Sequence, residues 1–576
     1  MPATLGLAKL GRQHSNRELP WRESDPSVAS APSGWRALSL PQDDIVAVAP
    51  DDFAHGSGAQ THFGAGLSRT RTYIRHSLHN VGPAATRRSS AAPSQGVEVQ
   101  TPKRLRRVWT LLALPAIGLL GASMHRPVEI ARPSTALTSP PVLRNASAVP
   151  GVVEVSITAT PARVRLLPGG PLVNVYSYNG TVPGPTLELR EGDSVVIHFS
   201  NKLPEPTTVH WHGVHLPANA DGSPLVPIAP GQKHDYSFRL RAGSAGTYWY
   251  HPHPDRRSGF QIGMGLYGGI IVRAPNDPLA AAGIAEKLLI LADNRFDSTG
   301  AIAFPDPASL QGGIDLQNGR EGNVFLVNGQ VMPTIDIKPG EVQRWRIVNA
   351  SAGRIYNLAL PDQKLVHVGT DGGLFEHPVE VPSILVANSE RAEVLVRGGA
   401  AGATMALKDL PYDRYISQTR PTDWERPQDI LSLHVADAPP VAPIAIPSVL
   451  RPIPLIDTTR VTARRTIVFS QGMIDGRFMD MHRIDIRTRV GATEIWTIQN
   501  VVGMDHPFHL HGFHFQILDR DGVPEPIRGW KDTGNVPKHS SMRIVVRFDD
   551  YPGKWMYHCH ILDHEDQGMM GILQVR

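Results

Sequence analysis

Four pairs of histidines, each separated by one residue, punctuate the sequence: His210–Trp211–His212, His251–Pro252–His253, His509–Leu510–His511 and His558–Cys559–His560. On an extended strand, residues i and i+2 face the same side, so each pair offers two imidazoles to one place. Imidazole is the commonest protein metal ligand. Eight of them converging from two distant stretches can hold several metal ions. The only cysteine of the chain, Cys559, sits inside the last pair. Alternation turns its thiol to the opposite face, toward a different metal. Its candidate partners are His506, His564 and Met569. Two His, one Cys thiolate and a weak axial Met make an electron-transfer site of the blue-copper type. The backbone of Cys559 then joins that site directly to His558 and His560. One His-x-His pair carries little weight in a chain with 25 histidines. The tract HCHILDHEDQGMM (His558 to Met570) is specific by itself, because it sets His and Met at +5 and +10 from the only cysteine.

These residues need a scaffold of strands. VSITATPARVRLL, LELREGDSVVIHFSN and TEIWTIQN alternate apolar and polar positions and are bounded by Gly, Pro and Asn turns, the pattern of β-sandwiches. Helical stretches are few; one is expected near Pro278 to Glu286. One phrase recurs three times, at Asn179 to Asn201, Asn328 to Ser351 and Ile474 to Asn500. Each copy has a turn with Gly, an extended segment, a second Gly turn, an alternating strand and a closing Asn. Repetition on this scale predicts three copies of one β-domain. The expected boundaries are 151–275, 276–437 and 461–576, with a Pro-rich linker at 438–460 and a Pro/Ala/Ser-rich linker at 127–150. Two histidine pairs fall in the first unit and two in the third; the middle unit has none.

The N-terminal region differs. Residues 1–102 are rich in Ser, Ala, Pro, Arg and His and read as disordered or as a mis-assigned extension, with translation starting nearer Val97. Residues 103–126 combine KRLRR, an apolar run broken by Pro115 and Gly118, and the small residues Gly121, Ala122 and Ser123. The run is short for a membrane span and fits an export signal, with Arg106–Arg107 similar to a twin-arginine signal. The alternative is an uncleaved membrane anchor. The expected location is therefore periplasmic or secreted, after passage through the twin-arginine export machinery. A single cysteine excludes an internal disulfide. A net charge of +4 with no basic stripe argues against nucleic acid as a partner.

Over residues 150–576 the chain resembles the multicopper oxidases, especially bacterial laccases and the cuprous oxidases of copper tolerance. The resemblance rests on HWHG (His210–Gly213), YWYHPH (Tyr248–His253), HPFHLHG (His506–Gly512) and HCHILDHEDQGMM, in that order and with every ligand position matching. It implies an all-β chain of three cupredoxin-like Greek-key sandwiches holding four copper ions. Type 1 copper would be held by His506, Cys559, His564 and Met569. Type 2 copper would be held by His210 and His509. The type 3 pair would be held by His212, His251, His253, His511, His558 and His560. The middle domain would be a spacer that shapes the donor site. The implied partners are dioxygen and a reducing donor, either a phenolic or aromatic molecule or a metal ion, Cu(I), Fe(II) or Mn(II); the family leans monomeric. A cell-envelope protein with this fold but no enzymatic role is the reading from another class.

Reducing dioxygen to water consumes protons, so carboxylates are expected beside the copper cluster. Asp221, eleven residues after His210, and Glu565, next to His564, stand at the family's positions. Each is read as a proton relay, against the alternative of a carboxylate that only orients an imidazole. His215, His234, His482, His514 and His539 are read as structural, and Met479 and Met481 as packing. Asp505 and the loop Arg528–Asp532 are expected to shape the surface near the type 1 site.

Overall fold

The computed structural model describes residues 135–421 and 424–576. The expected extension (1–102), the signal-like segment (103–126) and the first part of the linker (127–134) lie outside the described residues. Among the described residues no helix is long and apolar enough to cross a membrane.

Alternation in the sequence becomes alternation in burial. Along the strand Ser194–Asn201, every second residue is buried, with Val195, Ile197 and Phe199 in the core. Each such side chain contributes roughly 1.5–3 kcal/mol of burial. The strands of the described residues form six sheets, two within residues 152–273, two within 285–435 and two within 463–575. Each pair of sheets closes on its own apolar core, around the fully buried Trp211, Trp345 and Trp496 respectively. In each sandwich two strands close in sequence run parallel: Val152–Val164 with Ser194–Asn201, Ala285–Asn294 with Val342–Asn349, and Ala463–Ser470 with Ala492–Asn500. Parallel neighbours cannot be joined by a hairpin, so the chain crosses to the facing sheet and returns. The result is three cupredoxin-like β-sandwiches.

The recurring phrase does the same structural work three times. Its opening Asn179–Gly180, Asn328–Gly329 and Asp475–Gly476 all have positive φ, as a two-residue hairpin turn requires. The side-chain oxygen of the first residue accepts the N–H of Thr158, Ile290 or Val468. The closing Asn201, Asn349 and Asn500 each donate their amide to carbonyls of the following loop and of a distant one: Glu205 and Ile228, Arg354 and Val386, Met504 and Val536. Buried loop carbonyls need such donors.

Among the described residues four short α-helices interrupt the strands: α1 (Ser258–Gly263), α2 (Pro278–Ala281), α3 (Leu310–Asn318) and α4 (Leu562–Asp566). The helix expected to reach Glu286 stops at Ala281. Gly283 follows at φ +75°, and Glu286 already lies in the strand Ala285–Asn294. Residues 436–462 contain no strand or helix. Arg451 in this stretch donates to the carbonyls of Gly243, Ala245 and Gly372. The segment 135–150 is also tied down: Leu137 N–H bonds to Thr334 O at 2.8 Å and Leu143 N–H to Thr186 O at 2.9 Å. A further apolar cluster, including Val175, Trp249, Ile290, Val348 and Leu562, welds the three sandwiches together.

Candidate metal centre

The strand His210–His212 pairs antiparallel with Gly246–His251, setting His210 opposite His251. Trp211 faces the other way, into the first core. In the third sandwich, His506–Leu510 pairs with Gly553–Cys559, setting His509 opposite His558 and Phe508 opposite Cys559. Cys559 thus points into the third core while His558 points out of it, as alternation requires. The outward faces of the two sandwiches meet. All eight histidines of the four pairs are buried there, none more than 1% exposed.

Hydrogen bonds fix which nitrogen of each imidazole faces its neighbours. The Nδ1–H groups of His210, His251, His509 and His558 donate to the carbonyls of Asp221, Pro252, Asp532 and Cys559, at 2.9, 2.9, 2.9 and 3.0 Å. His511 Nδ1–H donates to the carboxylate of Asp221 at 2.9 Å. Each of these rings therefore presents a bare Nε2. His212 is reversed: its Nε2–H donates to Asp532 Oδ1 at 3.0 Å, leaving Nδ1 bare and 3.4 Å from His251 Nε2.

The bare nitrogens gather into groups. His210 Nε2 and His509 Nε2 are buried without any partner. His511 Nε2 and His558 Nε2 face each other at 3.0 Å, with His253 Nε2 3.4 Å from His558 Nε2. Burial, with the neighbouring imidazoles adding to it, holds His212, His251, His253, His509, His558 and His560 well below the usual histidine range. Neutral rings with lone pairs turned toward one another repel unless a cation lies between them. This donor set fits metal ions, and its neutral nitrogens suit copper.

The second cluster lies on the other face of Gly553–Cys559. His506, Cys559 and His564 have ligand atoms within 4.8 Å of one another. Cys559 Sγ is 3.7 Å from His564 Nδ1, and His506 Nδ1 is buried without a partner. Met569 is fully buried in the same core; its carbonyl accepts from Cys559 N–H and its N–H donates to His564 O, at 3.1 and 2.9 Å. Burial pushes the Cys559 thiol far up, so forming the thiolate requires a bound cation. A soft sulfur with two imidazoles suits copper as well.

The two carboxylates differ. Burial opposes ionisation of Asp221, but His511 and His210 outweigh it and hold its carboxyl well below the usual range. Glu565 approaches His253 Nδ1 at 3.3 Å and His558 Nδ1 at 3.4 Å, yet neither carboxyl oxygen has a hydrogen-bond partner. Burial, with the charge of Asp566 adding to it, pushes Glu565 well above the usual range.

Two surface expectations are corrected. Asp505 and Asp532 are each only 1% exposed. Asp505 is enclosed by Tyr412 Oη at 2.6 Å and Asn535 Nδ2 at 2.7 Å, and Asp532 lies at His212 rather than near the type 1 cluster. Both are in strand-edge loops that the sandwiches cover on docking. Of the histidines outside the pairs, His215 bonds to Asp550 at 2.8 Å, and half-buried His514 lies 3.7 Å from Asp532. Met479 packs against the cluster of Met556, Met570 and Ile572. Sequence reasoning missed Ser389, Arg391, Thr533 and Gln317, which touch or support the imidazoles from other parts of the chain.

The comparisons with known proteins agree with this geometry. Family models described as multicopper oxidase match residues 162–277, 290–403 and 451–576. The multicopper oxidase Mco of Staphylococcus aureus is 31% identical over 426 residues, covering 70% of this chain and 85% of that protein. The laccase of Bacillus subtilis is 27% identical, covering 69% and 90%. The solved structure of a multicopper oxidase from Campylobacter jejuni, described as a metallo-oxidase, superposes with a TM-score of 0.70 at 33% identity, covering 77% and 96%. The cell division protein FtsP of Proteus mirabilis also matches, at 28% identity over 70% of this chain and 85% of its own. With three matching domains, buried imidazole clusters and the Cys559 site together, the chain belongs to the multicopper oxidases, oxidoreductases that use dioxygen.

Proposed function

We propose that this enzyme is laccase-like, taking single electrons from phenolic or aromatic donors at the type 1 site and delivering them to dioxygen, with water as product. His506, Cys559, His564 and Met569 would hold type 1 copper. His210 and His509 would hold type 2. His212, His251 and His560 would hold one type 3 copper, and His253, His511 and His558 the other. Bound copper supplies the one-electron steps and the site of dioxygen reduction; the chain supplies ligands, orientation and protons.

The observation that carries the donor class is the cover over His564. This imidazole is 4% exposed, and its Nε2–H donates to Gln317 O of α3 at 2.9 Å. α3 (LQGGIDLQN) carries no methionine that would bind a cuprous ion. Electrons thus cross a hydrogen bond rather than a ligand bridge, which suits organic donors of varied shape. Glu565 holds a proton beside His253 and His558, whereas Asp221 orients His511 and His210. The likeness to a metallo-oxidase favours a second reading, oxidation of Cu(I), Fe(II) or Mn(II). The FtsP likeness keeps a third, a structural envelope protein. We place the enzyme outside the cytoplasm, on the export pattern of residues 103–126.

The test is copper loading followed by oxygen uptake with a phenol, Cu(I), Fe(II) and Mn(II) in parallel. Blue absorption and faster uptake with the phenol are expected. Preference for a metal ion replaces the donor class, and protein that takes up no copper overturns the reading.

A further inference from the structure

The middle sandwich has no copper motif, yet one of its residues, Ser389, touches an imidazole of the trinuclear cluster, and two others, Arg391 and Asp371, hold the residues that anchor His212. Arg391 is 1% exposed and spans all three sandwiches. Its Nε–H donates to Thr247 O at 3.1 Å, in the strand that carries His251. Both of its terminal amino groups donate to Asp532 of the third sandwich, one at 2.9 Å to Oδ1. Asp371 completes the frame: it accepts Arg391 N–H at 2.8 Å and Thr533 N–H at 3.2 Å.

This frame matters because of His212. The other anchored rings spend Nδ1–H on a carbonyl or, for His511, on Asp221. Among the paired histidines anchored through one nitrogen, His212 is the one turned around, with Nε2 3.0 Å from Asp532 and 3.1 Å from Thr533 Oγ1. A carboxylate only accepts, so the proton sits on Nε2 and the lone pair on Nδ1. Asp532 is a buried anion, and Arg391 is the cation that keeps it in place.

Ser389 acts on another ring. Its φ is +70°, a left-handed conformation that favours glycine. Ser389 N–H donates to Asn349 O at 3.0 Å, and Arg391 Nη1–H donates to Ser389 O at 2.7 Å. The strained backbone places the hydroxyl 2.8 Å from the ring nitrogens of His560. Strain of this kind costs stability whatever the side chain does; it persists where the surrounding structure enforces it, and such residues cluster at functional sites.

We propose that the middle sandwich positions the trinuclear cluster: Arg391, through Asp532, sets which nitrogen of His212 faces the metal, and Ser389 sets the ring of His560. The proposal rests on the copper reading above. The test uses full-length copper-loaded protein carrying Ser389→Ala, Ser389→Gly or Arg391→Gln. Copper per chain, the blue type 1 absorption, the near-ultraviolet absorption of the type 3 pair and thermal melting are read together. Glycine relieves the backbone strain while deleting the hydroxyl, so a purely structural Ser389 leaves that variant as stable and as fully loaded as wild type. The positioning role instead predicts that both Ser389 variants keep the blue absorption but bind trinuclear copper about 10–100-fold more weakly. If Arg391→Gln fails to fold, the Ser389 variants decide. Full loading with unchanged type 3 absorption in both overturns the proposal, as does loss of the blue absorption along with the rest. Wild-type protein that binds no copper sinks the function proposed above instead.

Discussion

The two metal clusters lie on opposite faces of the same strand, Gly553–Cys559, but they are assembled differently. The type 1 cluster is made within one sandwich. Its four candidate ligands fall between His506 and Met569, and the middle sandwich adds the Gln317 carbonyl on the outer edge of His564. The trinuclear cluster exists only where sandwiches meet. Its imidazoles come from residues 210–253 and 509–560, and their anchors come from Asp221, Asp532 and Ser389. A site inside one core is held by that core's own packing. A site at an interface also needs the docking to be right to a fraction of an ångström, and the buried Arg391, bonded to all three sandwiches, serves that need.

The sharpest way to break the comparison is Cys559→Ser. Blue absorption and donor oxidation should both vanish, while copper analysis still finds the trinuclear ions, because serine leaves the opposite face of the strand intact. Loss of all copper would show that the two faces are not separate sites. Next comes Glu565→Gln, which should slow oxygen uptake by about 10²–10⁴-fold while both copper absorptions persist. Turnover equal to wild type would remove Glu565 from proton delivery. Asp221→Asn should be milder, weakening trinuclear copper binding by about 10–100-fold without touching the type 1 absorption. Titration with a copper chelator reads that difference.

The smallest effect belongs to the middle sandwich, away from both clusters. Burial pushes the Asp409 carboxyl up to about 6. The folded chain keeps this proton at pH values where the unfolded chain, with a carboxyl near ~3.9, has released it. Its contribution is therefore most favourable below about pH 4 and is lost as pH rises toward 6. Asp409→Asn should remove that slope, equally in copper-free and copper-loaded protein. Denaturant midpoints between pH 4 and 7 provide the check, and an unchanged slope would sink the assignment.

Much of this protein was legible in one dimension. The three Asn/Asp–Gly turns and the three closing asparagines are local signals, and each recurs with the same hydrogen bonds. The opposite directions of His558 and Cys559 follow from strand alternation alone. The division of the eight histidines between coppers came from the family resemblance and not from their spacing, and the reversal of His212 came from neither. Asp532 looked like an exposed loop residue because nothing nearby in sequence marks it as buried. Its partners Arg391 and His212 are 141 and 320 residues away. The helix at Pro278 was overextended because tertiary pairing claimed Ala285–Asn294 for a strand.

Sequence by itself determined the ligand types, their pairing along strands and the repeated sandwich that carries them, because residue chemistry and the two-residue period are local properties. Only the tertiary structure decided which nitrogen each imidazole presents, which carboxylate orients and which stands free, and that a domain without ligands reaches the cluster. Those outcomes depend on hydrogen bonds made across domain interfaces, and no local pattern encodes them.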